Sequence, residues 1–205
     1  MLRYCTQCGK ARKACICCWI EELDNHVELV VLQHSSEQKQ PLGTARILSL
    51  SLSRCDILVG ENFTHDSSLN DWLNNESYQY YILYPSETAY TFEHVKNNVQ
   101  KGQNIRIILL DGTWKKAYKI WQLSTNLHDI PCVSLPTNLK GAYTIRKAPT
   151  DNALSTVEAG YHLLNQLEPE KDFTSLLTAF NNMIQFQIDR MPEGVFEAHY
   201  LKNNK

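Results

Sequence analysis

The sequence predicts an α/β protein: a mostly parallel sheet with helices on both faces, preceded by a cysteine-rich N-terminal knuckle. Three observations carry this. The runs VELVVLQH (27–34), YYILYP (80–85) and NIRIILLDG (104–112) are apolar without the alternation of a half-exposed strand. Segments of helical period lie between them. Five of the seven cysteines fall within the first 18 residues.

Taken in order, residues 1–22 form the knuckle and residues 23–205 one catalytic-sized unit, with no internal repeat, low-complexity stretch or linker between parts. VELVVLQH is β-branched and of strand length, and it gives way to the polar loop SSEQKQPLG. TARILSLSL (44–52) reads as a short helix, CDILVG (55–60) as a second strand and SSLNDWLNN (67–75) as a helix. YYILYP is a strand stopped by Pro85, which has no backbone donor for a ladder. EHVKNNV (93–99) is a short helix before NIRIILLDG, the longest strand-like run. From Trp114 the period changes: Trp114, Ala117, Tyr118 and Trp121 fall at i, i+3, i+4 and i+7, which predicts that they share the anchoring face of a helix while Lys115, Lys116 and Lys119 point elsewhere. PCVSLP (131–136) is a short strand, and 153–167 and 172–191 are the two longest helices.

No 18-residue apolar run is present, so no membrane span is expected, and MLRYCTQCGK lacks the apolar centre of a secretory signal. The expected location is the cytoplasm, and nothing calls for an obligate protein partner. A net charge of −2 excludes a protein that is basic throughout. It does not exclude local contact with RNA by the basic clusters Arg3, Lys10, Arg12 and Lys13, then Lys115, Lys116 and Lys119, then Lys140, Arg146 and Lys147.

Cys5, Cys8, Cys15 and Cys17 have the spacing C-x2-C-x6-C-x-C, with Cys18 left over. In a reducing compartment this spacing points to metal rather than disulfides, and four thiolates suit tetrahedral zinc. A filled coordination sphere leaves no open position, so such a metal would hold structure. Cys18 competes with Cys17 for the fourth place.

Four polar islands interrupt or follow the apolar runs: 34–46, 84–89, 111–114 and 142–159. Ligands of open α/β sheets bind beyond the carboxyl ends of strands, where three of these islands begin.

Asp111-Gly112-Thr113-Trp114 resembles the D-x-T-W signature of the DTW-domain proteins, the tRNA-uridine aminocarboxypropyltransferases. The same chain carries, in order, the C-x2-C and C-x-C knuckle, His34-x-x-Glu37 with a following threonine, Tyr84-Pro85-Ser86, D-x-T-W, and an arginine-containing loop leading into Ser155-Thr156-Val157-Glu158-Ala159. It differs in having Ser35 where the family often has proline, and in the extra thiol of Cys18. The resemblance covers about residues 3 to 190. It implies a fold similar to the trefoil-knotted SPOUT methyltransferases, S-adenosylmethionine as donor, and transfer of its 3-amino-3-carboxypropyl group to N3 of a tRNA uridine with release of methylthioadenosine.

The residues suit that chemistry. Asp111 is either the general base for the N3 proton or a carboxylate bonding local backbone groups. Trp114 is either a cation–π face for the donor's sulfonium or a first-turn core residue. Glu37 and Glu87 are further candidates for the base or for the donor's ammonium. His34 would orient Glu37 or contact RNA, together with Lys115 and Lys147. The donor contacts expected are Thr113, Trp114, Pro85, Ser86, Arg146, Ser155, Thr156 and Glu158. Of these, Arg146 offers a planar fork to a carboxylate or phosphate. Ser155 and Glu158 also read as a capping box at a helix start, where free N–H groups can donate to an anion. A SPOUT-type RNA methyltransferase and a non-catalytic zinc-knuckle RNA-binding protein are the alternative readings.

Overall fold

A computed structural model describes residues 3–136, 139 and 154–192. Five strands, β1 (Glu28–His34), β2 (Cys55–Gly60), β3 (Tyr78–Leu83), β4 (Asn104–Asp111) and β5 (Cys132–Val133), form one sheet in the order β2-β1-β4-β3-β5. Every pairing in it is parallel. The helices are α1 (Ala45–Ser51), α2 (Ser67–Leu73), α3 (Phe92–Asn97), α4 (Trp114–Leu123), α5 (Thr156–Leu167) and α6 (Thr174–Ile188).

The continuous apolar strands are buried on both sides, as parallel sheets require. Leu29, Val31, Ile107 and Leu109 face one core with α1, α3, α5 and α6 through Leu48, Val95, Leu164 and Phe180. Val30, Leu32, Ile82 and Ile108 face the other with Leu69 of α2 and Ile120 of α4. The helices start where side chains satisfy their first amides. Asp66 accepts from the Leu69 N–H at 2.8 Å, Thr91 from that of His94 at 3.2 Å and Thr113 from that of Lys116 at 3.4 Å.

The N-terminal segment joins the first core. Ile16 is fully buried there with Cys8, and Trp19 meets Phe186 of α6 edge-on at 5.8 Å. Burying Ile16 contributes about 1.5–3 kcal/mol.

The expected anchoring face of α4 is corrected. Ala117 and Ile120 are buried, whereas Tyr118 is 54% exposed and Trp114 is 52% exposed. Trp121 is half-buried and stacks on Tyr84 with centroids 5.1 Å apart. The helix therefore turns Ala117, Ile120, Trp121 and Ser124 inward: small Ala117 admits close approach, and the apolar Ile120 outcompetes the phenol of Tyr118 for the dry side.

Among the described residues, no helix is long and apolar enough to cross a membrane. They do not show the trefoil knot that the resemblance implies, since the segment between β5 and α5 lies largely outside them.

Candidate functional site

After β1 the chain passes to α1 on one face of the sheet, and after β4 it passes to α4 on the other. Neighbouring parallel strands whose connections leave in opposite directions open a crevice at their carboxyl ends. Two polar side chains stand there. Gln33 and Asp111 are partners in the β1–β4 register, and the Gln33 Nε2 donates to Asp111 Oδ2 at 2.7 Å. The hydroxyl of Thr156, at the start of α5, donates to Asp111 Oδ1. Asp111 is only 6% exposed, so its carboxylate is held by two different elements inside the crevice mouth.

A cavity of about 290 Å³ opens beside it, near the lower end of small-molecule pockets. The loop after β1 supplies Glu37, Gln40, Leu42, Gly43 and Thr44. Asp111, Gly112 and Thr113 form the floor, with Lys116 and Thr156 beside them. The Lys116 ammonium lies 2.6 Å from Glu37 Oε1, so an ammonium and a carboxylate stand together in a cavity that also holds the Asp111 carboxylate. Gly112 is needed for close approach: a Cβ there would sit 2.9 Å from the Cβ of Lys116.

Three of the four polar islands thus meet around one cavity, through Glu37, Asp111, Thr113 and Thr156. Ser155 and Glu158 make the capping box, with Glu158 Oε2 accepting from the Ser155 N–H at 2.7 Å and its hydroxyl at 2.6 Å. Both are buried, and Thr156 is the member of that segment at the cavity wall. Pro85 and Ser86 are exposed in the loop after β3 and are not among the lining residues. Trp114 heads α4 next to Thr113 and is likewise outside the lining. Arg146 and Lys147 lie outside the described residues.

Two expectations are corrected by side-chain partners. His34 does not orient Glu37. The residue is 7% exposed, with Nε2 3.0 Å from Glu61 Oε1 and Nδ1 accepting from the Ser36 N–H at 3.2 Å. The lysines of α4 are not all free: Lys116 pairs with Glu37 and Lys119 with Glu61, which leaves Lys115 exposed and without an ion pair among the described residues. The two pairs clamp α4 to the loops after β1 and β2. Gln33 was not singled out from the sequence, and Lys116 was read there only as one of three lysines free to meet RNA. Gln33 had a signal, a polar residue in an otherwise apolar strand, but the Lys116 and Glu37 partnership spans 79 residues and has none.

Sγ atoms of Cys5, Cys8, Cys15 and Cys17 all lie within 4.8 Å of one another, while Cys18 is exposed and outside the group. The Cys5–Cys17 and Cys8–Cys15 separations are both 3.7 Å. Thiolates 2.3 Å from a tetrahedral metal are about 3.8 Å apart, so the four sulfurs fit a metal ion. The backbone N–H of Cys8, then that of Gln7, pulls the Cys5 thiol down to about 6, in the range where thiolate forms at neutral pH. Burial pushes the Cys17 thiol up, which a bound cation reverses. Lys10, expected on the surface, is turned inward: its ammonium donates to the carbonyls of Pro41 and Gly43.

The DTW domain matches residues 2–188. The chain is 30% identical over 209 residues to "tRNA-uridine aminocarboxypropyltransferase 2" of Drosophila melanogaster, spanning 97% of this chain and 82% of that protein. It is 27% identical over 205 residues to the protein of the same name in Mus musculus, with 98% and 68% spanned. Identity to "tRNA-uridine aminocarboxypropyltransferase A" of Arabidopsis thaliana is 22% over 211 residues, with 89% and 80% spanned. No solved structure matches the chain. With the D-x-T-W residues at the mouth of the crevice and the match running nearly from end to end, the chain belongs to the DTW-domain family.

Proposed function

We propose that this protein is a tRNA-uridine aminocarboxypropyltransferase of the cytoplasm, using S-adenosylmethionine as donor and a structural zinc ion held by Cys5, Cys8, Cys15 and Cys17. The observation that carries the reading is the buried Asp111 carboxylate, fixed by Gln33 and Thr156 beside a small cavity, in a chain whose relatives share that name.

The donor's amino-acid end is a zwitterion, and the cavity offers a matching pair: Lys116 for the carboxylate and Glu37 for the ammonium. Thr113 adds a hydroxyl and Leu42 an apolar wall. Trp114, next to Thr113 in the chain, would face the sulfonium, a contact of about 0.5–2 kcal/mol. The resemblance adds Pro85, Ser86 and Arg146 as donor contacts beyond this cavity, and His34, Lys115 and Lys147 as contacts to the tRNA.

In the reaction Asp111 accepts the N3 proton of uridine as N3 attacks the methylene carbon bonded to sulfur. The new N–C bond forms, the C–S bond breaks, and its electron pair neutralises the sulfonium to give methylthioadenosine. General-base assistance of this kind contributes about 10²–10⁴-fold.

Incubation of the protein with tRNA and S-adenosylmethionine, followed by mass spectrometry, tests this. Methylthioadenosine and a uridine heavier by the aminocarboxypropyl group are expected. Recovery of S-adenosylhomocysteine alone would replace the reading with methyl transfer. RNA binding without donor binding would replace it with a non-catalytic RNA-binding protein.

A further inference from the structure

Lys10 sits between the second and third cysteines of the quartet. Its place is set by the knuckle itself. Gly9 turns the chain at φ +71°, a conformation that residues with a Cβ rarely adopt, and the Cys5 N–H donates to the Lys10 carbonyl at 2.8 Å. From there the ammonium reaches more than 30 residues along the chain, donating to the Pro41 carbonyl at 2.6 Å and the Gly43 carbonyl at 3.2 Å. Gln40, Leu42, Gly43 and Thr44 of that same segment form one wall of the cavity. The wall is irregular backbone, closed by turn bonds from Gln40 N–H to Glu37 and from Gly43 N–H to Gln40. Such a segment has few ladder bonds of its own and is placed by what holds its carbonyls.

We propose that Lys10 is a positioning residue for the donor pocket: the cysteine knuckle, through the Lys10 ammonium, holds the Gln40–Thr44 wall at the distance at which it closes on the ligand. The knuckle is then a strut of the site rather than a detached RNA-binding appendage. Its identification with a donor pocket rests on the proposed function. The mechanical part, that Lys10 holds this wall, does not.

Lys10→Met removes the charge and the donors while keeping the stem. Calorimetric titration with S-adenosylmethionine should show affinity about tenfold weaker, as expected for loss of charge-assisted hydrogen bonds. At saturating donor, kcat should stay within about twofold. Lys10→Arg, which can donate to both carbonyls, should recover most of the affinity. Arg46→Met is the control: the Arg46 guanidinium bonds the Gln7 carbonyl, tying the knuckle to α1 without touching the wall. It should leave affinity unchanged.

Amide hydrogen exchange provides the readout that needs no donor. In Lys10→Met the amides of Gln40, Leu42, Gly43 and Thr44 should exchange about tenfold faster while those of β1 are unchanged. Equal exchange in the wall, or equal loss of affinity in Arg46→Met, would overturn the proposal. If Lys10→Met fails to fold, Lys10→Gln, a neutral donor of shorter reach, is read in the same way. Should the native protein bind no donor, the functional reading falls, and the exchange result still decides whether Lys10 holds the wall.

Discussion

Gln33 and Asp111 face each other across the β1–β4 ladder, joined at 2.7 Å inside the crevice. A glutamine at the end of an apolar strand is costly to bury without a partner, and a carboxylate more so. Each satisfies the other, and the bond aims the carboxylate. Asp111→Asn keeps the shape and removes the base, so turnover should fall by about 10²–10⁴-fold with the melting temperature little changed. Gln33→Leu should lower kcat by about ten- to hundredfold, the value of one hydrogen bond to a charged group. Steady-state kinetics with tRNA checks both.

Gly112 lies between these groups and α4. Its backbone φ is not in the left-handed region, so the requirement is space. An added Cβ would meet the Cβ of Lys116 at 2.9 Å and that of His34 at 3.6 Å. Neither is the far end of a flexible chain. Gly112→Ala should therefore cost about 1–3 kcal/mol by overpacking and shift Lys116 away from Glu37. Urea denaturation and donor titration should both register the change.

The inward side of α4 makes a sharp contrast between two aromatics three residues apart. Trp121 stacks on Tyr84 and contacts the His128 ring at 5.0 Å, whereas Tyr118 is mostly in water. Trp121→Ala should lose about 2–4 kcal/mol, and Tyr118→Ala should stay within about 0.5 kcal/mol. Thermal denaturation of the pair tests which face the helix buries.

Cys8 belongs to the main core as well as to the sulfur quartet. Loss of the metal should therefore be felt as loss of packing around Ile16 and Trp19. A strong chelator, or Cys8→Ser, should release one metal ion per chain and lower the melting temperature markedly, because metal binding at such sites is folding free energy. Cys18→Ser should retain the metal. Elemental analysis beside a thermal melt separates the two.

The legible parts of this fold were those written locally. β1, β4 and the capping box at Ser155 and Glu158 each declare themselves within a few residues by apolar runs or cap spacing. The cysteine quartet is legible because metal ligands recur at short spacing. Asp111 ends the longest apolar strand, but its reading as a site residue came from the D-x-T-W resemblance and not from the strand alone. What could not be read is pairing between distant segments. Lys116 with Glu37, His34 with Glu61 and Lys10 with the Pro41 and Gly43 carbonyls join parts of the chain that the period of no single element connects. The face of α4 was misread for a related reason. Trp114, Ala117, Tyr118, Ile120 and Trp121 offer two overlapping apolar stripes, and only the sheet beneath chooses between them.

Glu61 yields the last prediction, since it links His34 of β1 to Lys119 of α4. The Lys119 ammonium holds its carboxyl below the usual carboxylate range, against the opposing effect of burial, and His34 adds to the lowering. A carboxyl lowered in the folded state favours folding wherever it is ionised. That contribution is complete above the ordinary glutamate value of about 4.5 and is lost as pH falls through the lower folded value. Glu61→Gln should therefore be less stable than the native protein at pH 7, with the gap closing below about pH 4. Both partners lie partly in water, so the gap should also shrink in high salt. A difference between the two proteins that stays constant from pH 7 to pH 3 would show that Glu61 acts by packing and not by charge.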